Sequence, residues 1–296
     1  MNFPPAEVEA AAALIAECDS RATHHVLQLG GCETRWRIWG EGTPLLLIHG
    51  GHGAWTHWIR NIEALSARFR VIVPDLAGFG DSADFAQAAH APERTELLIE
   101  SLRLGVEHLV PEGGMHLAGF SFGGAVAGLL APRLPRLQRL ALLGCGGHGG
   151  ARREKAPLRD WRAHEGVPRW QALQQNVEAF MLSGPADALA LYVHGHACER
   201  TRFRSKAISR SPLLLQALQD FDKPVLMVWG EDDVTAVPAE AAQTLAQHKP
   251  ARDWTILAGA GHWVQYERSD AINTLLASWL PRIHSPSGTG LDSRCT

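Results

Sequence analysis

Six stretches of this chain are continuous apolar runs, and they limit the fold more than any other feature. They are "PLLLIHG" (44–50), "RVIVP" (70–74), "MHLAG" (115–119), "LQRLALLG" (137–144), "KPVLMVWG" (223–230) and "DWTILAG" (253–259). A strand with one face in water alternates apolar and polar residues, so an unbroken run implies cover on both faces. Helical periodicity falls between the runs, over about 56–67, 92–110, 122–132, 238–248 and 269–280. Strands alternating with helices predict an α/β fold with a mostly parallel sheet sandwiched by helices. Ahead of them, residues 5–17 read as a short amphipathic helix. "HHVLQL" (24–29) and "TRWRIWG" (34–40) alternate well enough for two antiparallel strands joined by "GGCE".

The alternation breaks once. Between Cys145 and Lys223 there is no buried-strand run, only helical patterns and many basic residues. That is too long for a structureless loop. The reading is a core over 24–145 and 216–282, an inserted helical cap over 146–215, an N-terminal helical extension over 1–23, and a polar, disordered tail over 283–296. Hydrophobic residues at 46% and charged residues at 20% fit a globular chain with a sizeable core. A formal net charge of -3, with no dense basic block, argues against a nucleic-acid partner. The five cysteines are scattered and odd in number, which disfavours a disulfide framework or a zinc site. The N-terminus lacks the basic region of a signal peptide, and no apolar run reaches membrane-spanning length. The expectation is a cytoplasmic protein with a small-molecule substrate, no membrane partner and no cofactor. Homodimer formation is left open.

"LAGFSFGGAVAG" (117–128) carries the chemistry. Ser121 sits between Gly119 and Gly123, directly after a buried strand and at the head of a helix of small residues. In that context the motif reads as a nucleophile elbow, where a strained turn presents the serine and its flanking positions must not clash. A serine hydroxyl needs a base, and the base needs an orienting acid. "GEDDVTAVP" places Asp232 and Asp233 after the strand "VLMVW", and "GAGHW" places His262 after "WTILA". Groups at the carboxyl ends of parallel strands converge on one crevice. For the oxyanion, the N–H of Phe122 follows the nucleophile, and Gly51 in "HGGHG" supplies a second donor.

These elements resemble the α/β-hydrolase fold superfamily. "HGG", "VPDLAGFGDS", "GFSFGG", "WGEDD" and "GAGHW" occur in family order over about residues 24–282. The resemblance implies an eight-stranded sheet, a cap between the sixth and seventh strands, and Asp233 rather than Asp232 as the acid. It also implies a structural role for Asp75. "GHWVQYE" (261–267) and "HGGHGAWTHWIRN" (49–61) look like the carbon–carbon bond hydrolases of aromatic meta-cleavage pathways, whose cap arginine holds a substrate carboxylate; Arg202 is the candidate here. The chain departs from that group at Phe120 and His57, where asparagines are usual. Phe120, Trp263, His57 and Trp58 are expected to line an apolar pocket, with His52 beside them. The fifteen histidines, including His194 and His196, lack a matching carboxylate set for a metal. The leading reading is a serine hydrolase of small carboxylic esters. A meta-cleavage-type hydrolase is the alternative, and a ligand-binding protein on the same fold is the reading of another class.

Overall fold

The computed structural model describes residues 3–89, 91–154 and 156–282. The tail expected to be disordered over 283–296, with Cys295, lies outside them. In chain order the elements are α1 (Pro5–Ser20), β1 (Thr23–Leu29), β2 (Cys32–Trp39), β3 (Pro44–Ile48), α2 (Ile62–Ser66), β4 (Arg70–Asp75), α3 (Arg94–Leu109), β5 (Met115–Phe120), α4 (Phe122–Leu130) and β6 (Leu137–Leu143). There follow α5 (Gly166–Phe180), α6 (Ala188–Glu199), α7 (Lys206–Ser209), α8 (Leu213–Ala217), β7 (Val225–Gly230), α9 (Pro238–Ala246), β8 (Arg252–Leu257), α10 (Val264–Glu267) and α11 (Ser269–Trp279).

The sheet has eight strands in the order β1-β2-β4-β3-β5-β6-β7-β8. β1 and β2 pair antiparallel, as does β2 with β4, and every other pairing is parallel. After β3 the chain crosses to one side for β4, then returns to the other for β5. The carboxyl ends of β3 and β5 therefore flank the point where winding reverses, the crevice in which open α/β sheets bind ligands.

Along the central strands successive residues face opposite sides, and each side has its own core. Leu46, Ile48, Leu117, Leu140, Leu142, Met227 and Trp229 pack with residues of α3, α4, α8 and α9. Leu45, Leu47, Ala118, Phe120, Ala141, Leu143 and Val228 pack with residues of α2 and α11 and with parts of α1, α5 and α6. The continuous runs are thus strands buried on both faces, with one exception. β8 is an edge strand, partly exposed along its length, and Trp254 is 41% exposed. An apolar run records the burial of its better-covered face and does not distinguish an edge from a centre.

Helices α5 to α8 occupy the segment between β6 and β7. The expected boundary at 215/216 falls inside α8, whose Leu214 packs into the core against α4. Helix α1 lies on α6 and is fastened to β2: Trp39 Nε1 donates to Cys18 O at 2.8 Å, and Arg37 Nε to Asp19 Oδ1 at 2.5 Å. Cys18, Cys32, Cys145 and Cys198 are buried and unbridged. No helix among the described residues is long and apolar enough to cross a membrane.

Candidate active site

Ser121 joins β5 to α4 with φ 55° and ψ -118°, a left-handed backbone on a residue with a side chain. Such a conformation costs about 1–3 kcal/mol and persists only where the surroundings enforce it. Here its N–H donates to Leu143 O at 2.9 Å, and its carbonyl accepts from Gly124 N and Gly146 N, each at 2.9 Å. Gly119 and Gly123 leave no room for more. A Cβ on Gly119 would stand 2.3 Å from Gly123 O, and one on Gly123 would stand 2.3 Å from His49 O.

The serine meets both expected partners. His262 Nε2 lies 2.8 Å from Ser121 Oγ, and its Nδ1 lies 2.9 Å from Asp233 Oδ2. With the Nδ1 proton directed at the carboxylate, Nε2 is left to accept the serine hydroxyl. Asp233 is 0% exposed and His262 2%. Burial alone would raise the Asp233 carboxyl, but the attraction and hydrogen bond of His262, with two bonds from Thr235, hold it below its ordinary value. Asp232 turns away and accepts from Ser183 Oγ at 2.5 Å. Thr235 was not anticipated. Its backbone N–H and its hydroxyl each donate to Asp233 Oδ1 at 2.7 Å, and Oγ1 lies 3.1 Å from His262 Nδ1.

Gly51 and Phe122 face the same cavity as Ser121. Phe122 is the first residue of α4, so its N–H has no intrahelical partner and is free to bind an anion. Two buried histidines pin the peptides beside Gly51. His49 Nε2 accepts from Leu76 N at 3.0 Å, so its Nδ1 proton goes to Gly50 O at 2.8 Å. His57 Nδ1 accepts from Gly50 N at 3.2 Å. Burial lowers both side chains below the usual histidine value, and for His57 the neighbouring histidines add to it. Both are therefore neutral at pH 7, as their acceptor roles require. Asp75 serves the same loop, accepting from Trp55 N at 2.8 Å and from Arg37 Nη1 at 3.1 Å.

The cavity over Ser121 has a volume of about 300 Å³. Larger ones lie elsewhere, about 370 Å³ between α1 and α6 and about 610 Å³ at the opposite end of the sheet, but neither touches the serine. Leu158, Trp161, Leu173, Phe180 and Met181 form its apolar wall. The residues expected there do not line it, apart from His52. Phe120, Trp58 and Trp263 are fully buried behind the site. The Phe120 ring packs 5.1 Å from the His262 ring and 5.4 Å from that of His57, and Trp263 Nε1 donates to His57 O at 3.0 Å. They back His262 and the loop that carries Gly51. Arg202 is also corrected: it donates to Ser82 O and, at 3.0 Å, to Arg200 O, which fastens its segment to the Asp75 turn. Arg152, Lys206 and Arg210 line the cavity instead. The only sign of them in the sequence was the basic character of the whole segment.

A model of the alpha/beta hydrolase family matches residues 45–275. The dihydrolipoyllysine-residue acetyltransferase component of the acetoin cleaving system of Pseudomonas putida is 32% identical over 274 residues, spanning 86% of this chain and 68% of its own. The 2-hydroxy-6-oxo-6-phenylhexa-2,4-dienoate hydrolase of Burkholderia cepacia is 28% identical over 265 residues, spanning 81% and 88%. Among solved structures, a carboxylesterase from Bacillus subtilis superposes with a TM-score of 0.72 at 20% identity, over 93% of this chain and 99% of that one. A meta-cleavage product hydrolase from Pseudomonas fluorescens gives 0.68 at 22% identity, over 86% and 97%. At such identities these two speak for the fold alone. With the family model spanning most of the chain, this protein belongs to the alpha/beta hydrolase family.

Proposed function

We propose that the chain is a serine hydrolase of small carboxylic esters, with α5 to α7 forming a cap over the site. The observation that carries this reading is the unbroken hydrogen-bonded line from Ser121 through His262 to Asp233, ending in a cavity shared with Gly51 and Phe122. Ser121 Oγ attacks the ester carbonyl while His262 Nε2 takes its proton. The charged imidazole is stabilised by Asp233, and the N–H groups of Gly51 and Phe122 hold the oxyanion. Collapse breaks the carbon–oxygen bond, and the leaving alkoxide receives the proton from His262. Water then attacks the acyl-enzyme and gives a proton to His262. The acid departs, and the proton returns to Ser121.

A second reading, carbon–carbon bond hydrolysis of a ring-fission acid, keeps its place for one reason: several relatives bear that activity in their names. Nitrophenyl esters of graded acyl length, assayed beside a ring-fission dienoate, separate the two. Ester turnover well above dienoate turnover is expected, and rapid dienoate consumption with negligible esterase activity would replace the first reading with the second. Ser121→Ala is expected to abolish hydrolysis of either; surviving activity would remove Ser121 from the mechanism.

A further inference from the structure

Ser205 stands where a serine ordinarily caps a helix, and it caps nothing. It is the residue before α7, a position at which the hydroxyl usually accepts from a backbone N–H of the first turn, yet its side chain makes no such bond. Ser205 is only 7% exposed, and among the described residues its hydroxyl has no hydrogen-bond partner at all. A buried polar group left in that state is uncommon and marks a place where a partner arrives later. Ser205 lines the cavity over Ser121. Its neighbours there are Gly51 and Phe122: a Cβ on Gly51 would stand 2.6 Å from Ser205 Oγ and 3.5 Å from Phe122 Cβ. The segment that carries it is tied to the core. Arg202 N and Phe203 N donate to Gly78 O at 2.8 and 3.2 Å, and the Arg202 guanidinium donates to Ser82 O. The Phe203 ring lies 5.7 Å from that of Phe79 and 5.7 Å from that of Phe122. On the other side, Ser205 O accepts from Ser209 N at 3.0 Å. The hydroxyl is thus fixed in place before any substrate enters, the condition under which a donor stabilises charge that develops only during reaction.

Resting on the ester reading of the site, we infer that Ser205 is a third oxyanion donor. Its hydroxyl donates a hydrogen bond to the oxygen that becomes negative when Ser121 adds to the carbonyl, beside the N–H groups of Gly51 and Phe122. No proton leaves Ser205; the bond only strengthens as charge builds on the acceptor. The oxyanion is then held from three places, the loop after β3, the head of α4 and the segment between α6 and α7.

Two measurements on Ser205→Ala test this. With nitrophenyl butyrate, kcat is expected to fall at least about tenfold while KM changes little, the signature of a bond made only in the transition state. The melting temperature is expected to hold or rise, since the lost hydroxyl has no partner in the free protein. A raised KM with an unchanged kcat would make the hydroxyl a ground-state contact and overturn the inference. The second measurement reads the anion itself. 1,1,1-Trifluoro-2-hexanone, labelled with carbon-13 at its carbonyl, adds to Ser121 as a hemiketal, and the carbon shift reports the pH at which that hemiketal ionises. Ionisation is expected about one pH unit or more higher in Ser205→Ala than in the wild type, the equivalent of the tenfold loss. The signal comes only from assembled sites, so a loss of folded protein does not move it. Equal ionisation in the two proteins would overturn the inference. A wild type that turned over no ester, yet showed this difference from Ser205→Ala, would retire the ester reading and leave Ser205 standing as a donor to the anion.

Discussion

The Thr235 hydroxyl touches Asp233 and His262 at once, and nothing in the sequence marks it out. It donates to the Asp233 oxygen that His262 does not use. Thr235→Ala is expected to lower kcat about tenfold, because an oriented carboxylate loses a hydrogen bond worth ~1.5 kcal/mol, and Thr235→Ser should restore most of it. Steady-state kinetics on the two variants checks this; equal losses in both would make the methyl group, not the hydroxyl, the active part. Asp233 carries a second expectation. Its folded-state ionisation lies below the ordinary carboxylate value, so its contribution to stability is present above that value and is lost as pH falls through the lower, folded one. Urea midpoints measured from neutral to strongly acid pH should fall more steeply for the wild type than for Asp233→Asn. Ser121, His262 and the Asp232–Asp233 pair were legible because each follows a strand that the apolar runs mark. Thr235 was not, since nothing in "DDVTAVP" distinguishes a threonine that bonds the acid from one that caps a turn. Nor could sequence separate Arg152 from Arg202, because the direction of each guanidinium is settled by folding of the segment between β6 and β7.

Among the elements, the loop before α10 shows how His262 is held. Glu267 reaches back from the end of α10 to accept from Gly261 N at 2.7 Å and from Ser183 N at 2.8 Å. Trp263 N donates to Met181 O at 2.7 Å. The loop that carries His262 is thereby laced to the turn that follows α5. Glu267→Ala leaves two backbone donors without partners. Amide exchange at Gly261 and Ser183 is expected to accelerate together, with kcat reduced several-fold and the melting temperature lowered. Exchange that quickened at only one of them would show that the carboxylate does not bridge the two segments. The "GHWVQYE" stretch held this information only as a resemblance; that its glutamate faces backward across the histidine loop is a property of the short helix between them. β8 was legible as a strand and not as an edge, for the same reason that periodicity fails: an edge is defined by the absence of a neighbour.

For the molecule as a whole, the winding order decides where chemistry sits. The loop of Gly51 follows β3, Ser121 follows β5, Asp233 follows β7 and His262 follows β8, so four pairings, β3 with β5, β5 with β6, β6 with β7 and β7 with β8, must form before these residues meet. Fold class, strand sequence and the convergence of those ends followed from the apolar runs and the order of the motifs. The cavity wall did not, because the helices between β6 and β7 meet the site through tertiary packing that has no sequence period. The exposed position of β8 has a practical result. The histidine hangs from the sheet's last strand, which has a partner on one side only, and segments of that kind open at lower free energy than central ones. In graded denaturant, hydrolysis should therefore fade before the circular dichroism of the helices changes, while coincident curves would show that β8 opens only with the rest. An assay of turnover would then act as an early-warning gauge, reporting that the margin of the protein has frayed while its centre is still intact.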